Sequence, residues 1–299
     1  MAYSIRLTPP EPCGQKLNLW SQPDFMQAVA QLHNREAFHL QCFKGKQLVA
    51  LLPVYERKLL SYRAVVNPST SYYQGLNLWT ADSSLAARKI LDNLQAVRQI
   101  AAFMHERYKR INFNLTPETY DVRGFSWEKL KAKPLYTFVN DYTEANIALP
   151  DEKKRLTKAK QIGYRFAEEL RLPEFMKLMR VLNDKKNIEM GISFSALEEF
   201  FFKLHSLGIL HQYNLYLEDR IVSSNILLND SNGNAFTVFR ATENEALKNG
   251  ASSLHTLMLI ESLGNELTEL DFCGANVPDV ARFKTALGLK LKVFYQISL

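Results

Sequence analysis

The chain has 299 residues, of which 46% are apolar, enough to bury one large core or two of ordinary size. Its formal charge of +6 and sequence pI of about 9.0 favour anionic ligands but fall short of a protein that coats DNA. Three scattered cysteines fit a reducing compartment better than a disulfide framework, and no apolar run is long enough for a membrane span. We therefore expect a soluble, cytoplasmic protein.

The first half of the chain predicts a short helix, a strand hairpin, a third strand, a long helix and two further strands. In that order, the residues are 22–32, 37–43 with 47–56, 69–79, 84–108, 110–115 and 135–140. The long helix has the clearest signal, because one apolar stripe follows helical spacing through Ala87, Ile90, Leu91, Leu94, Ala101 and Met104.

The second half repeats this order of elements. Its hairpin, third strand, helix and last two strands are predicted at 213–218 with 221–229, 235–241, 252–264, 267–272 and 291–298. Residue identity between the halves is too weak to see, so the predicted duplication depends on element order. Two more helices, 172–186 and 195–208, lie between the halves, and Ser195 is the predicted N-cap of the second.

The common signatures of catalytic sites are absent from the sequence. The six histidines show no ligand pairing, and there is no GxSxG, GxGxxG or P-loop motif. Metal catalysis is therefore not expected. His255 falls within an apolar helix, where it is interpreted as a core or boundary histidine and not as a base.

Two segments are candidates for binding an anion. The helix predicted after Lys248 begins with the small residues Gly250, Ala251, Ser252 and Ser253, and the free N–H groups of such a start can hold a phosphate. Residues 151–171 contain seven Lys or Arg against four Asp or Glu, and could form a rim that attracts a phosphate-bearing substrate. The alternatives are an ordinary serine N-cap and a solvated helix face.

The stretch LDFCGANVPDVARFKTALG, residues 270–288, is the most informative in the chain. A strand ends at Asp271, Gly274 follows, and a short helix then presents Phe283 and Lys284. Either the carboxylate and the ammonium face one cleft, or Asp271 caps the next helix and Lys284 lies on its solvent face.

Together these motifs resemble the Fem-type family of tandem GNAT (GCN5-related N-acyltransferase) proteins, aminoacyltransferases that build peptidoglycan cross-bridges. The segment KKRLTKAKQIGYR is similar to the basic segment before the family's second domain, and NGASSLHTLMLIESL to its helix after the central strand. LDFCGA and RFKTALG match its Asp-Phe-x-Gly and aromatic-Lys…Gly pair. The resemblance extends over nearly the whole chain, but only the C-terminal motifs are specific.

The resemblance implies an α/β (α+β) fold of two GNAT-like domains, each a mixed twisted sheet flanked by helices. We place them at residues 1–145 and 146–299, with the final strand packing between them. The family's cleft lies between two central parallel strands that diverge, which would be 235–241 and 267–272 here. Lys284 would then stabilise the oxyanion or bind a phosphate, and Asp271 would anchor or deprotonate the amine.

The resemblance also implies roles for other residues. Lys248 and residues 250–253 would bind the phosphate of the donor, and the remaining substrate-binding candidates are Arg155, Lys158, Lys160 and Phe283. Two family features are missing, namely the coiled-coil arm of some cross-bridge enzymes and the glycine-rich pyrophosphate loop of CoA-using enzymes. NEALKNGAS has a single glycine.

Three functions remain open. The first is transfer of an acyl or aminoacyl group to an amine of a cell-wall precursor or related acceptor, with a nucleotide-linked precursor as one candidate, from an aminoacyl-tRNA or acyl-CoA donor. The second is a CoA-dependent acetyltransferase of a small amine or amino sugar, and the third is a non-catalytic GNAT-like binding module. The expected partners are an amine acceptor and, for an aminoacyl donor, transfer RNA. We expect no permanently bound cofactor, no metal and no DNA.

Overall fold

A computed structural model describes residues 2–59, 61–79, 85–187, 190–230, 232–264 and 266–299. The chain divides into two compact units, one formed by Met1–Leu135 with Val293–Leu299 and the other by Tyr136–Lys292. Two strands, Lys131–Asn140 and Lys290–Ser298, contribute residues to both units. Among the described residues, no helix is both long enough and apolar enough to cross a membrane.

Unit 1 consists of a β-sheet with a long helix packed on three of its strands. Its elements are β1 (Tyr3–Thr8), a 3-10 turn (Leu19–Ser21), α1 (Pro23–Leu32), β2 (Glu36–Lys44), β3 (Gln47–Leu59), β4 (Tyr62–Val66), β5 (Asn77–Leu78), α2 (Ala86–Arg107), β6 (Arg110–Asn114), α3 (Arg123–Trp127) and the first part of β7 (Lys131–Asn140). Strands β1 to β4 pair antiparallel in order, whereas β4 and β6 pair parallel across the helical crossover. Helix α2 packs on β1, β2 and β3 and buries the unit's core.

Unit 2 repeats this plan with two additional helices at its start. Its elements are the end of β7, α4 (Pro150–Lys160), β8 (Arg165–Glu168), α5 (Leu172–Lys186), α6 (Phe194–Ser206), β9 (Leu210–Leu217), β10 (Arg220–Asn229), β11 (Asn234–Thr242), α7 (Asn244–Lys248), α8 (Ala251–Leu263), β12 (Glu269–Asp271), α9 (Pro278–Ala286) and the first part of β13 (Lys290–Ser298). The remainder of β13 pairs antiparallel with β6 in unit 1.

The sheet of unit 2 runs in the order β7, β12, β11, β10, β9, β8. Strands β9 and β10 are buried along almost their whole length, because α8 packs against them as well as α5 and α6. Strands β11 and β12 pair parallel, across the crossover formed by α7 and α8. Each unit therefore has a hairpin, a third strand, a helix and a parallel partner strand, which is the element order that the sequence predicts twice.

Several details differ from the sequence predictions. Residues 69–79 form a strand only at Asn77–Leu78. The strand that follows the β2–β3 hairpin is instead β4, Tyr62–Val66. The aromatic Tyr73 packs instead against Trp20 and Phe294, which explains its strand-like apolar signal. Helix α6 begins at Phe194, one residue before the predicted range 195–208.

The N-cap of α6 is Ser193, whose hydroxyl accepts a hydrogen bond from the backbone N–H of Ala196 at 3.2 Å, and not Ser195. In α2 the buried stripe lies nearer the C-terminal end than predicted, since Ile90 and Leu91 are exposed. Ser84, the predicted first residue of that helix, lies outside the described residues.

Candidate functional site

The two parallel strands of unit 2 separate after a short paired stretch. Strand β11 pairs with β12 at Asn234, Ala235 and Phe236, and then continues to Thr242, whereas β12 ends at Asp271. The chain after β12 stays with β7 instead, because the N–H of Phe272 donates to the carbonyl of Phe138 at 2.9 Å. A gap therefore opens between the C-terminal ends of the two strands.

A β-bulge lies in β11 beside this gap. Ile226 of β10 pairs with Phe239 and Leu227 pairs with Thr237, which leaves Val238 as the extra residue. A bulge takes one residue out of the regular ladder and redirects the local backbone. The backbone amide of Val238 is therefore a candidate donor towards a ligand in the gap.

The gap forms a cavity of about 470 Å³, which we call the strand-gap cavity. Its cationic lining residues are Arg155, Lys186, Arg240 and Lys284, and its single lining carboxylate among the described residues is Asp279. Its hydroxyl and thiol groups come from Thr237, Thr242, Ser252, Ser253 and Cys273. Its apolar lining residues are Leu182, Val238, Leu247, Phe272, Val280 and Phe283. Four cations against one carboxylate make the cavity attractive to an anion.

Lys284 forms one wall of the cavity and is only 6% exposed. Its Nζ donates hydrogen bonds to the carbonyl oxygens of Phe272 at 2.6 Å and Cys273 at 3.0 Å, and also to that of Gly274. Burial lowers the pKa of Lys284 to about 8, an effect that nearby Cys273 and Asp271 oppose and Arg240 reinforces. The side chain is therefore still mainly cationic at neutral pH.

The turn that Lys284 contacts has an unusual backbone. Cys273 and Gly274 both have positive φ, at 41° and 85°. Two successive left-handed residues turn the chain sharply enough for three neighbouring carbonyls to converge on one ammonium, and glycine adopts such a conformation at low cost. Burial, together with the charge of Asp271, raises the pKa of the Cys273 thiol well above its usual value, so this thiol stays protonated.

Arg240 is the second cation of the cavity, on β11 opposite Lys284. Its Nη2 donates to the carbonyl oxygen of Ser252, while its Nε–H is buried and has no acceptor among the described residues. Its guanidinium lies 5.5 Å from the centre of the Phe283 ring, within range of a cation–π contact. Burial lowers the pKa of Arg240 to about 10, and no ion pair among the described residues neutralises it. Arg240 is half-buried overall, but a buried Nε–H without an acceptor is costly, and an anionic ligand would offset part of that cost.

Asp271 lies behind the turn and does not line the cavity. It is 2% exposed, and its Oδ1 accepts hydrogen bonds from Thr137 Oγ1 at 2.5 Å and from the Cys273 backbone N–H at 2.8 Å. We expected this carboxylate at the mouth of the gap. The structure instead places it where it fixes the turn that Lys284 contacts.

The start of α8 is partly covered by α4. Gly250, the N-cap of α8, has φ +78°, and a Cβ at this position would lie 3.1 Å from Arg155 Cγ. The Arg155 guanidinium also donates to the carbonyl of Leu247 at 2.6 Å. Gly250 and Ala251 are therefore buried and do not line the cavity, whereas Ser252 and Ser253 do. The predicted phosphate site is reduced to these two serines, and the buried Ser253 hydroxyl has no hydrogen-bond partner among the described residues.

Of the other predicted site residues, some line the strand-gap cavity and some do not. Arg155 and Phe283 line the cavity. Lys248 does not, because it is exposed and paired with Glu245 at 2.7 Å. Lys158 and Lys160 are exposed in the last turn of α4 and also lie away from the cavity lining.

His255 is fully buried in α8, as predicted for a core histidine. Its Nδ1 lies 2.8 Å from Ser223 Oγ, and burial lowers its pKa well below the usual value, so the imidazole is neutral. Ser223 in turn contacts the hydroxyl of Thr242 at 2.7 Å. The histidine thus supports the cavity wall from behind.

Comparison of the folds adds to this geometry. No protein-family model matches the chain, and no curated protein matches it by sequence. In solved structures, FemX matches with a TM-score of 0.66 at 12% identity, over 92% of this chain and 90% of FemX. The chain has the Fem-type fold. That fold consists of two tandem GNAT-like domains, as the sequence resemblance implied.

Two further structures share this Fem-type fold. The C-terminal domain of an Agrobacterium fabrum protein, assigned as a lysylphosphatidylglycerol synthetase, has a TM-score of 0.59 at 12% identity, over 92% of this chain and 86% of that domain. L-PGS from Bacillus licheniformis has a TM-score of 0.54 at 14% identity, over 91% of this chain and 86% of that one. At such identities the likeness concerns the fold.

Sequence reasoning missed several residues of the cavity in this Fem-type fold. Arg240 left a visible signal, since it is the single charge in the apolar strand AFTVFRA. Lys186 and Asp279 left none, because each is a helix-end charge of the kind that is usually solvated.

Proposed function

We propose that the strand-gap cavity is the active site of an N-acyltransferase that transfers an acyl or aminoacyl group to an amine. The observation that carries the proposal is the pair of cations, Lys284 and Arg240, in a gap between two diverging parallel strands. Two cations in a partly buried cavity stabilise negative charge far better than in water. Acyl transfer develops such a charge on the carbonyl oxygen.

The reaction follows from this arrangement. The neutral amine attacks the acyl carbon, its nitrogen forms the new bond, and the carbonyl electrons move onto the oxygen. The positive charge of Lys284, whose three N–H groups already donate to backbone carbonyls, and the bulge amide of Val238 would stabilise that oxyanion. The intermediate then collapses, the bond to the carrier breaks, and the nitrogen loses its proton. Asp279, the one carboxylate among the described lining residues, can attract the acceptor ammonium or receive the proton.

Asp271 has a positioning role in this proposal. Its two hydrogen bonds fix the turn whose carbonyls hold Lys284, so it acts on the reaction through that lysine. This replaces our expectation that Asp271 itself anchors or deprotonates the amine.

The nature of the donor follows from the anion-binding groups. The N-cap Gly250 and the first residue of α8, Ala251, are buried, which leaves Ser252 and Ser253 as the part of this helix start that lines the cavity. A phosphate-bearing donor would instead meet Arg240, Lys186, Ser252 and Ser253. These groups suit an aminoacyl-tRNA end as well as another phosphorylated carrier. By likeness to FemX, we propose an amine of a cell-wall precursor as the acceptor.

Mass spectrometry of cell-wall precursors tests the proposal. Extracts from cells with and without the protein should differ by one acyl or amino-acid mass on an amine-bearing precursor. Lys284→Met should lower the amount of that product by about 10²–10³-fold, on the order of the usual effect of losing one preorganised group that stabilises the oxyanion. Lys248→Met is the matched control, because that lysine is exposed and does not line the cavity. Identical precursor profiles in all strains would contradict the proposal.

A CoA-dependent acetyltransferase is the competing enzyme function. Thermal-shift measurements with acetyl-CoA separate the two, because a ligand at 100 times its Kd stabilises a protein by about 2.7 kcal/mol. Because Gly250 and Ala251 are buried and NEALKNGAS has a single glycine, we expect no shift at millimolar acetyl-CoA. A clear shift would favour the CoA-dependent enzyme.

A further inference from the structure

Unit 1 has a cavity of its own, of about 710 Å³, which we call the α2 cavity. It lies between helix α2, strand β5 and the segment that joins β6 to α3. All of its described lining residues belong to unit 1, and none of them lines the strand-gap cavity. Its volume falls within the range of small-molecule sites, about 300–1,000 Å³.

The position of the α2 cavity in unit 1 matches that of the strand-gap cavity in unit 2. Each cavity lies between the helix that connects the two parallel strands and the segment that follows the second of those strands. That helix is α2 in unit 1 and α8 in unit 2. The repeated element order therefore extends to a repeated cavity.

The gap between the parallel strands, however, is filled in unit 1. Beyond the end of β4, the N–H of Gln74 donates to the carbonyl of Asn114 at 2.7 Å. The side-chain amide of Asn114 in turn donates to the carbonyl of Tyr72 at 3.1 Å. Residues 72–74 thus lie beside the end of β6, where the corresponding space of unit 2 is open. The described lining of the α2 cavity also contains no lysine, so these features favour binding, and not acyl transfer, at this cavity.

The charge of the α2 cavity is opposite to that of the strand-gap cavity. Its described lining contains two carboxylates, Glu118 and Asp121, and one cation, Arg123. Arg123 donates to both oxygens of Asp121, at 2.9 and 2.7 Å, so these two charges largely neutralise each other. Glu118 is exposed and has neither an ion pair nor a hydrogen bond with the described residues. The remaining charge therefore favours a cationic ligand.

The wall below these charges is apolar and partly aromatic. Leu94 and Val97 of α2 are buried at the cavity, and Ile90 lies one turn before them with 48% of its side chain exposed. Tyr120 and Tyr295 also line the cavity, and Tyr120 is 77% exposed. Tyrosine rings can contact an aromatic ligand and also attract an ammonium group.

We propose that the α2 cavity binds a small primary amine with an aromatic body, with its ammonium at Glu118 and its body on Leu94 and Val97. The apolar wall provides the area that the body buries, and the uncompensated carboxylate selects the charge. The proposal goes beyond acyl transfer, because it concerns a cavity whose described lining residues are all separate from those of the strand gap.

Three ligands of similar size test the selection of charge. They are 4-phenylbutylamine, which is an ammonium at neutral pH, the neutral 4-phenylbutan-1-ol, and the anion 4-phenylbutanoate. In NMR titrations of the full-length protein, the amine should bind about three- to fivefold more tightly than the alcohol, the effect expected of one exposed ion pair. The carboxylate should bind more weakly than the alcohol. An amine that binds no more tightly than the alcohol would overturn the proposal.

A matched pair of glutamate variants tests the position of the ammonium. Glu118→Gln removes the lining charge, whereas Glu106→Gln removes an exposed charge of α2 that does not line the cavity. Glu118→Gln should abolish the preference for the amine and leave the affinity for the alcohol unchanged. Glu106→Gln should change neither. A preference for the amine that persists in Glu118→Gln would contradict the proposal.

Two neighbouring residues of α2 provide a similar pair for the body of the ligand. Ile90 and Leu91 are 48% and 59% exposed, but only Ile90 lines the cavity among these two. Ile90→Asn should weaken both the amine and the alcohol at least threefold, because it removes apolar contact area. Leu91→Asn should leave both affinities unchanged. Equal effects of the two variants would show that the ligand does not bind in this cavity.

A lysine side chain in a partner peptide would offer the same charge. Acetyl-Phe-Lys-Phe-amide, titrated in the same way, separates this case from a small amine. The peptide should bind more weakly than 4-phenylbutylamine, and tighter binding of the peptide would overturn the assignment to a small molecule. All of these titrations are made without a donor or turnover, so their outcome does not depend on the proposed acyl transfer.

Discussion

The ammonium of Lys284 lies 2.6 Å from the carbonyl oxygen of Phe272, the first residue after β12. One side chain therefore closes the turn that follows a central strand and also supplies a cation to the cavity beside it. The cation is held by neutral carbonyls and not by a carboxylate salt bridge. Its charge is therefore not cancelled locally, which suits a group that stabilises an anion.

The first prediction concerns pH and Lys284. Its pKa is lowered from 10.5 to about 8 in the folded protein, so between these values the unfolded chain holds a proton that the folded chain has released. Stability that depends on this residue therefore rises as pH increases from about 8 to 10.5 and is lowest below pH 8.

Urea denaturation of the wild type and of Lys284→Met, across that pH range, measures this effect. The free energy of unfolding of the wild type should rise relative to the variant with increasing pH. Both proteins should carry Cys273→Ser, because the buried thiol stays protonated in the folded protein but titrates in the unfolded chain over the same pH range. A difference that stays constant across the range would show that burial does not perturb the lysine.

The second prediction concerns the cost of the Arg240 charge. Arg240→Gln removes a guanidinium whose Nε–H is buried without an acceptor, so stability should stay the same or rise. The affinity for inorganic pyrophosphate should fall at least tenfold, since a hydrogen bond to a charged group contributes about 1.5–3 kcal/mol. Thermal shift with and without pyrophosphate measures both quantities.

Lys248→Met serves as the control for Arg240. The sequence predicts Lys248 as a phosphate ligand, but this lysine does not line the cavity. Its replacement should therefore leave pyrophosphate binding unchanged. Lower stability of Arg240→Gln with unchanged pyrophosphate affinity would mean that Arg240 is structural.

The third prediction concerns Asp271. Asp271→Ala leaves the Thr137 hydroxyl and the Cys273 N–H without their acceptor, and each buried unsatisfied group costs about 1–3 kcal/mol. Asp271→Asn keeps one oxygen and should cost less. If Asp271 positions the turn, the Asn variant should retain acyl transfer within about tenfold, whereas loss of a general base costs about 10²–10⁴-fold. A loss of activity in Asp271→Asn with normal stability would restore the role of base.

The sequence predicted the fold better than the site. The order of hairpin, third strand, helix and parallel strand was visible twice, because alternation and helical spacing are local signals. The cleft itself depends on where β11 and β12 stop pairing, and on the bulge at Val238, neither of which leaves a local pattern. The sequence motif around Lys284 allowed the prediction of one cavity residue. The position of Arg240 in the same cavity could be predicted only with the register of the sheet.

The packing of α4 against the start of α8 is a second feature that the sequence did not predict. Gly250, Ala251, Ser252 and Ser253 read as an open helix start, since each is small. Whether those amides are free depends on α4, which lies far away in sequence and packs over Gly250 through Arg155. Packing by α4 thus buries Gly250 and Ala251, two of the four small residues that local composition predicted to bind phosphate.

The last prediction concerns Gly288, which follows α9 and Lys284. Gly288 has φ +78°, and a Cβ there would lie 2.6 Å from the carbonyl oxygen of Ile147. Gly208 is the matched control, because it has φ +70° but no atom within 4 Å of the position of a Cβ. Replacement by alanine at either site carries the left-handed penalty of about 1–2 kcal/mol.

Only Gly288→Ala must also displace backbone, since the atoms it meets belong to the main chain of Ile147 and cannot rotate away. It should therefore lower the free energy of unfolding clearly more than Gly208→Ala does, as measured by urea denaturation. Because Leu149 N–H donates to the carbonyl of Ala286 at 2.9 Å, the displaced segment is tied to the end of α9. The shift should reach Lys284 and weaken pyrophosphate binding as well. Equal destabilisation by the two variants would mean that the chain at Ile147 yields without disturbing the helix.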